Sequence, residues 1–285
     1  MTTAQAYAHC LRIAQGHYEN FPVASRLLPT RVRGPVAAIY AVARRGDDLA
    51  DEGSLSAAER LAGLQALGQA VECAAQGQPA DDPVMLALAD TFSRHRVPVA
   101  LVHDLLSAFA QDVTQQRYAD FATLRDYCRR SANPIGRMLL HLCGYREEAL
   151  LLKSDAICTA LQLINFYQDL RQDYAEMGRI YLPQDEMQRF GVSESHLAQA
   201  ISDAPMRALM QFQFARVEEW LHDGRPLGGQ VGGRFGLELR LIMAAGQRVL
   251  WHLKRQEDDL FSRPRLSRKD YLWIVGQALY SPAWK

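Results

Sequence analysis

Tyr40-Ala41-Val42-Ala43-Arg44-Arg45-Gly46-Asp47-Asp48-Leu49-Ala50-Asp51 opens apolar and ends acidic. Val36, Ile39, Tyr40 and Ala43 recur at three- and four-residue spacing, which predicts a helix over 34–52 with Pro35 at its first position. Asp47 and Asp51 are four apart and share one face of that helix, where like charges cost about 0.2–0.5 kcal/mol. Downstream the same period continues in Leu61, Leu64, Leu67 and Val71 over 56–77, stopped by Gly77 and Pro79. Further helices are expected over 83–95, 98–113, 120–142, 147–176, 205–222, 237–255 and 267–279, with shorter pieces punctuated by Pro183, Gly191 and Pro205. No alternating β-branched run closes on Asn-Gly or Asp-Gly, so the chain reads as all-α. With no Pro-, Gly- or Ser-rich linker, a single domain over 1–285 is expected. The glycines at 228, 229, 232, 233 and 236 lack the G-x-G-x-x-G order and follow no predicted strand; they read as a flexible helix connection.

Composition excludes several classes. At 48% hydrophobic and 22% charged, 285 residues can bury a sizeable core. The 32 Lys and Arg cancel the 32 Asp and Glu, leaving no basic excess to grip nucleic acid. Five cysteines, an odd number without a C-x-x-C pair, point to a reducing compartment. Met1 to Arg12 has no basic segment followed by an apolar run, so a cytoplasmic location is expected. No apolar stretch is expected to reach bilayer length, which leaves only peripheral contact with the inner membrane face open. Zinc-protease H-E-x-x-H, the G-x-S-x-G elbow and a dinucleotide fingerprint are all missing from the sequence. Cys128 reads as a buried structural thiol.

A second acidic pair lies in Asn165-Phe166-Tyr167-Gln168-Asp169-Leu170-Arg171-Gln172-Asp173, again ending an apolar helix and preceded by Gln162. A solvated acidic face explains most single pairs of this kind; two such pairs favour a site. Mg²⁺ prefers carboxylate, phosphate and water oxygens, and commonly bridges protein to a substrate phosphate. Two facing helices with such pairs could hold metal over a diphosphate and neutralise a leaving group. Arg44, a turn before Asp48, and Arg179, in Gly178-Arg179-Ile180-Tyr181-Leu182-Pro183, are nearby cations.

At these residues the chain resembles the squalene/phytoene synthase family. The resemblance covers roughly residues 15–255 and rests on four motifs in order: 40–51, 127–136, 162–173 and 178–183. It implies the helical class I isoprenoid synthase fold around a central cavity, and an enzyme acting on a prenyl diphosphate with Mg²⁺. It also implies Asp47, Asp51, Asp169 and Asp173 as metal carboxylates with Asn165 beside them, and Tyr40, Arg44, Gln162 and Tyr181 at the diphosphate or reaction centre. Phe21 resembles an aromatic that shapes the pocket, and Leu139, Leu161 and Ile164 would line a prenyl tunnel.

Three departures are similar to the bacterial hydroxysqualene synthases of the hopanoid pathway. They are the opening 17–25, Ser131-Ala132-Asn133-Pro134-Ile135-Gly136, and Gln168 where many relatives carry Arg. That resemblance implies ionisation of presqualene diphosphate and capture by water, with no nicotinamide. Condensation of two farnesyl diphosphates to presqualene diphosphate, squalene or dehydrosqualene stays open, as do a non-catalytic prenyl-lipid-binding or assembly subunit and association with other enzymes of the pathway. Tyr40 and Phe166 offer aromatic faces to a carbocation. Tyr127, Ser131 and Asn133 could hold the water; alternatively Ser131 bonds a helical carbonyl and Asn133 caps the break imposed by Pro134.

Overall fold

Helix α1 spans Thr3–Gly16, α2 Thr30–Asp51, α3 Ala57–Ala75, α4 Pro83–His95 and α5 Ala100–Asp112. Next come α6 (Phe121–Ser131), α7 (Asn133–Cys143), α8 (Glu148–Gln168), α9 (Leu170–Met177) and α10 (Gln184–Phe190). The chain closes with α11 (Glu194–Ala198), α12 (Ala204–Gly224), α13 (Leu227–Gln230), α14 (Gly233–Leu253) and α15 (Arg268–Tyr280). This computed structural model describes residues 1–16, 27–78 and 80–281, among which no β-strand occurs. The all-α expectation holds. Phe21, the rest of the 17–25 segment and Pro79 lie outside the described residues.

The chain groups into two compact units, neither of them continuous in sequence: 1–114 with 130–151, and 115–129 with 152–285. In the first unit α2 packs against α1, α3, α4, α5 and α7. Its inward face, including Val32, Val36, Ala37, Ile39, Ala41 and Val42, is buried as the spacing requires. Gly46 lets α2 approach α5 closely, since a Cβ there would lie 2.7 Å from the Phe109 ring. Arg45 and Asp82 form an ion pair, and Asp82 also caps α4 by accepting the Val84 N–H at 2.8 Å. Ser56 and Glu59 form a reciprocal capping box that starts α3.

In the second unit α8 lies over a buried polar network. Tyr167 donates to Gln213 Oε1 at 3.0 Å, Gln213 Nε2 donates to Glu186 Oε2 at 2.6 Å, and Arg216 donates to both Glu186 and Gln213. Tyr167 and Gln213 are fully enclosed, and every named partner is satisfied, so the network fixes α8 against α10 and α12. Leu161 and Ile164 meet α14 where Gly246 removes a side chain.

Several boundaries differ from the sequence expectation. Helix α2 begins at Thr30, so Pro35 sits inside it rather than at its first position. The 120–142 segment divides at Ala132, and 147–176 divides at Asp169, whose φ of −109° and ψ of 14° leave the helical region. Helix α1 was not anticipated. The glycine cluster is not a loose connection: a Cβ on Gly236 would lie 1.9 Å from the Val231 carbonyl oxygen. Helix α8 is long and apolar enough to cross a membrane by composition, against the expectation that no segment is. Half of its most apolar window is buried and it carries site residues, which reads as a core helix.

Two glycine substitutions separate these roles. Gly236→Ala should lower stability by about 1–3 kcal/mol, because backbone must move. Gly276→Ala, in α15 with nothing within 4 Å, should raise it by about 0.5–1 kcal/mol. Thermal unfolding of the two variants gives the comparison.

Candidate active site

One acidic pair lies in each unit. In the first, Asp47 and Asp51 occupy the last turn of α2, where the helix dipole is negative and no basic residue follows. Carboxylates here are held by neighbours. Arg44 reaches Asp48 at 2.7 Å, Asp47 at 3.4 Å and Glu52 at 2.5 Å. Burial alone would push the Arg44 guanidinium down, but Asp48, Asp47 and Glu52 outweigh it and hold it above its ordinary value. Tyr40 lies one turn earlier, half-buried. Arg60 of α3 donates to the carbonyls of Leu49, Gly53 and Leu55 at 3.1, 2.9 and 3.1 Å, which satisfies the frayed end of α2 and orients the acidic turn.

In the second unit Gln162 and Asn165 lead along α8 to Asp169 at the break and Asp173 in α9. All four are half-buried. Burial raises the Asp169 carboxyl above its usual range, and Arg263, 3.1 Å from Oδ1, works against the rise. Asp173 is pushed up to about 7, first by burial and then by the Asp169 charge, with Arg179 opposing. Gly178 ends α9 in the left-handed region at φ 65°, and the Arg179 N–H closes the turn on the Asp173 carbonyl at 3.0 Å. Arg117 pairs with Glu194 at 2.7 and 2.8 Å and also donates to the Gly178 carbonyl, pinning this turn. Ile180, Gln184 and Asp185 N–H groups then donate to the carbonyls of Gln116, Tyr118 and Ala119. Residue 179 is buried, its Nη1 at 3.2 Å from Met177 Sδ.

That loop delivers Tyr181 face to face onto Phe166, with ring centroids 3.8 Å apart and planes 5° from parallel. Tyr127 and Tyr118 complete the cluster at 5.9 and 5.7 Å from Tyr181. All four rings are buried, and they form an aromatic wall three residues in sequence from Asp169. Such π-faces lower the cost of a nearby cation. Sequence reasoning named Tyr127, Phe166 and Tyr181 and missed Tyr118, as it missed Arg263; neither sits in a recognisable motif, and both arrive by tertiary contact.

The helix break at Ala132 settles two details. Ala132, not Asn133, is the cap residue of α7, without a side-chain capping bond; Asn133 is its first residue and is buried. Ser131 Oγ is buried and has no hydrogen-bond partner among the described residues, so it does not bond a helical carbonyl. Cys128 is fully buried and burial pushes its thiol up to about 12, the behaviour of an inert core thiol.

Among the described residues no three His, Cys, Asp or Glu side chains gather closely enough to hold a metal unaided. The carboxylate pairs nevertheless fit Mg²⁺, which takes one or two protein carboxylates and completes its shell with water and phosphate. Asp173, raised by burial and then by a like charge beside it, is the kind of group that a divalent cation relieves.

With chelator present, Asp173→Asn tests that repulsion. A carboxyl whose folded value of about 7 exceeds its ordinary 3.8 contributes stability that is full below about 3.8 and is lost progressively as pH rises from there through about 7. The variant should therefore melt higher than the parent at pH 8, by about 3 °C for each kcal/mol relieved, and by a smaller margin at pH 5. Thermal melts at the two pH values decide it.

The squalene/phytoene synthase family model matches residues 14–270. A hydroxysqualene synthase of Zymomonas mobilis subsp. mobilis is 35% identical over 273 residues, covering 94% of this chain and 90% of that protein. The crystal structure of squalene synthase HpnC from Alicyclobacillus acidocaldarius aligns with a TM-score of 0.85 at 32% identity, over 90% of this chain and 96% of that one. A dehydrosqualene synthase crystallised with a ligand aligns with a TM-score of 0.86 at 26% identity, over 97% and 96%.

Proposed function

Because the chain belongs to the squalene/phytoene synthase family, an enzyme family of isoprenoid biosynthesis, we propose that it converts presqualene diphosphate and water to hydroxysqualene and diphosphate with Mg²⁺. The observation that carries this reading is the adjacency, within one unit, of the raised Asp169–Asp173 pair and the aromatic wall of Phe166 and Tyr181. One group suits a diphosphate held through a cation, and the other suits the carbocation left when it departs. The hydroxysqualene synthase name of the Zymomonas relative supports the choice of product.

Asp47 and Asp51 in the first unit, and Asp169 and Asp173 with Asn165 in the second, would each hold Mg²⁺, which when bound supplies Lewis-acid neutralisation of the leaving diphosphate. Gln162 and Arg179, close in sequence to the second pair, and Tyr40 and Arg44, close to the first, are the groups suited to diphosphate oxygens. Cleavage of the carbon–oxygen bond sends its electron pair to diphosphate and leaves a cyclopropylcarbinyl cation. Phe166 and Tyr181 present π-faces to it, while Leu139, Leu161 and Ile164 exclude bulk water from the rearranging chain. Water then adds through its oxygen, and its extra proton leaves to solvent or to the departed diphosphate. Ser131 supports the placement of that water: a buried hydroxyl without a partner among the described residues favours an ordered water as its partner. An odd number of cysteines with no C-x-x-C pair supports a reducing, cytoplasmic setting.

Incubation of the purified protein with presqualene diphosphate and Mg²⁺, followed by mass spectrometry of the extracted lipid, should give hydroxysqualene without added NADPH. The squalene synthase name of the Alicyclobacillus structure favours a second reading, hydride capture to squalene; a strict NADPH requirement with squalene as sole product would establish that one instead. Asp47→Asn and Asp169→Asn should each lower turnover by about a hundredfold or more, the scale of losing a charge-stabilising group, with the helical signal retained. Ser131→Val should divert product toward eliminated or rearranged hydrocarbon while diphosphate release continues. Unchanged product ratios in that variant would remove Ser131 from the account.

A further inference from the structure

Asp169 Oδ1 is buried and accepts no hydrogen bond from the described residues, although Arg263 Nε lies only 3.1 Å away. The two groups are therefore held by charge, without the donor–acceptor alignment that makes a guanidinium–carboxylate contact strong. They differ in freedom: the Asp169 side chain is 22% exposed and that of Arg263 is 49% exposed. Among the described residues Arg263 makes its one ion pair with Asp169. Its charge also opposes the rise of both carboxyls in this acidic pair, Asp169 and Asp173.

The backbone that carries Arg263 is fixed on both sides. Three residues earlier the Leu260 N–H donates to Ser202 Oγ at 3.0 Å, and Leu260 and Phe261 are buried. Four residues later Ser267 opens α15 in a reciprocal capping box with Asp270. Arg248 and His252 of α14 hold that same Asp270 carboxylate at 2.5 and 3.1 Å. Pro264 restricts the backbone at 263 as well. The part of Arg263 left to move is its long side chain.

Mg²⁺ takes carboxylate oxygens at about 2.0–2.1 Å and completes a near-ideal octahedron with further oxygens. A guanidinium nitrogen 3.1 Å from Oδ1 stands beside the position such a cation would take, and two positive charges that close repel. Departure of Arg263 with nothing in its place would leave a buried carboxylate unpaired, which is strongly unfavourable. Exchange of one cation for the other avoids both costs.

We propose, on the reading of Asp169 and Asp173 as metal carboxylates, that Arg263 is a tethered counter-ion that occupies Asp169 in the absence of metal and is displaced when Mg²⁺ binds. Arg263 is in this sense a positioning residue: it balances Asp169 until the cation arrives, and competition with it sets the metal affinity of the second acidic pair.

Thermal melts of the parent, Arg263→Gln and Arg263→Lys, in chelator and across a Mg²⁺ titration, test the exchange. In chelator Arg263→Gln should melt below the parent, because Asp169 has lost its counter-ion. At saturating Mg²⁺ that gap should close, and the Mg²⁺ concentration giving the half-maximal rise should be about fivefold lower in Arg263→Gln. Arg263→Lys should stay with the parent on both readings, since the contact has charge to keep and no hydrogen-bond geometry to lose. Mn²⁺ titration followed by electron paramagnetic resonance should show the same fivefold tightening in Arg263→Gln. A gap that persists unchanged at saturating Mg²⁺, or equal metal midpoints in Arg263→Gln and the parent, would overturn the proposal and leave the metal reading standing. No metal-dependent change in any of the three proteins would overturn both.

Discussion

Like charges four residues apart on a helix repel, and this chain carries that repulsion twice, at Asp47/Asp51 and at Asp169/Asp173. Each pair also stands where the fold makes it dearer: the first at the negative end of α2, the second half-buried across a helix break. The local structure is arranged around keeping these groups in place. Arg44 braces Asp47, Asp48 and Glu52, and Arg60 gathers the carbonyls that follow. Arg263 braces Asp169, while Arg117 pins the turn behind Asp173. Arg179 and Arg263 oppose the rise of the Asp173 carboxyl, which burial and then the Asp169 charge still hold above its ordinary range. In the proposed function a divalent cation and a diphosphate would relieve this strain.

Rigidity around the second pair has a separate origin. The Tyr167–Gln213–Glu186–Arg216 network anchors α8 from below. Above the break, the 178–185 loop is laid along 115–119 by backbone hydrogen bonds, which stacks Tyr181 on Phe166. Position matters here because both capture of a cation and exclusion of water depend on geometry near the ångström scale.

Much of this was legible in the sequence. The 3.6-residue period in 36–43 and 61–71 marks α2 and α3, and the acidic pairs mark themselves by interrupting apolar helices. Local spacing carries such information because it depends only on neighbours along the chain. Pro134 signals the break at Ala132, although the helix was expected to run over 120–142; the break at Asp169 was not legible, because it lies in a segment with no Gly or Pro, so tertiary packing rather than a local signal ends the helix there. Arg263 braces a carboxylate 94 positions away (263 minus 169), and Gly236 is required by a carbonyl that only folding brings to it. Tyr118 joins the aromatic wall from a loop without periodicity.

The account's central claim is that the carbon–oxygen bond of the prenyl diphosphate breaks and that water ends the reaction on carbon. Turnover of presqualene diphosphate in water enriched in heavy oxygen, with mass spectrometry of both products, tests this directly. One heavy oxygen in the extracted alcohol and none in the released diphosphate is the predicted result; heavy oxygen in the phosphate product, or a hydrocarbon with no oxygen at all, would contradict it.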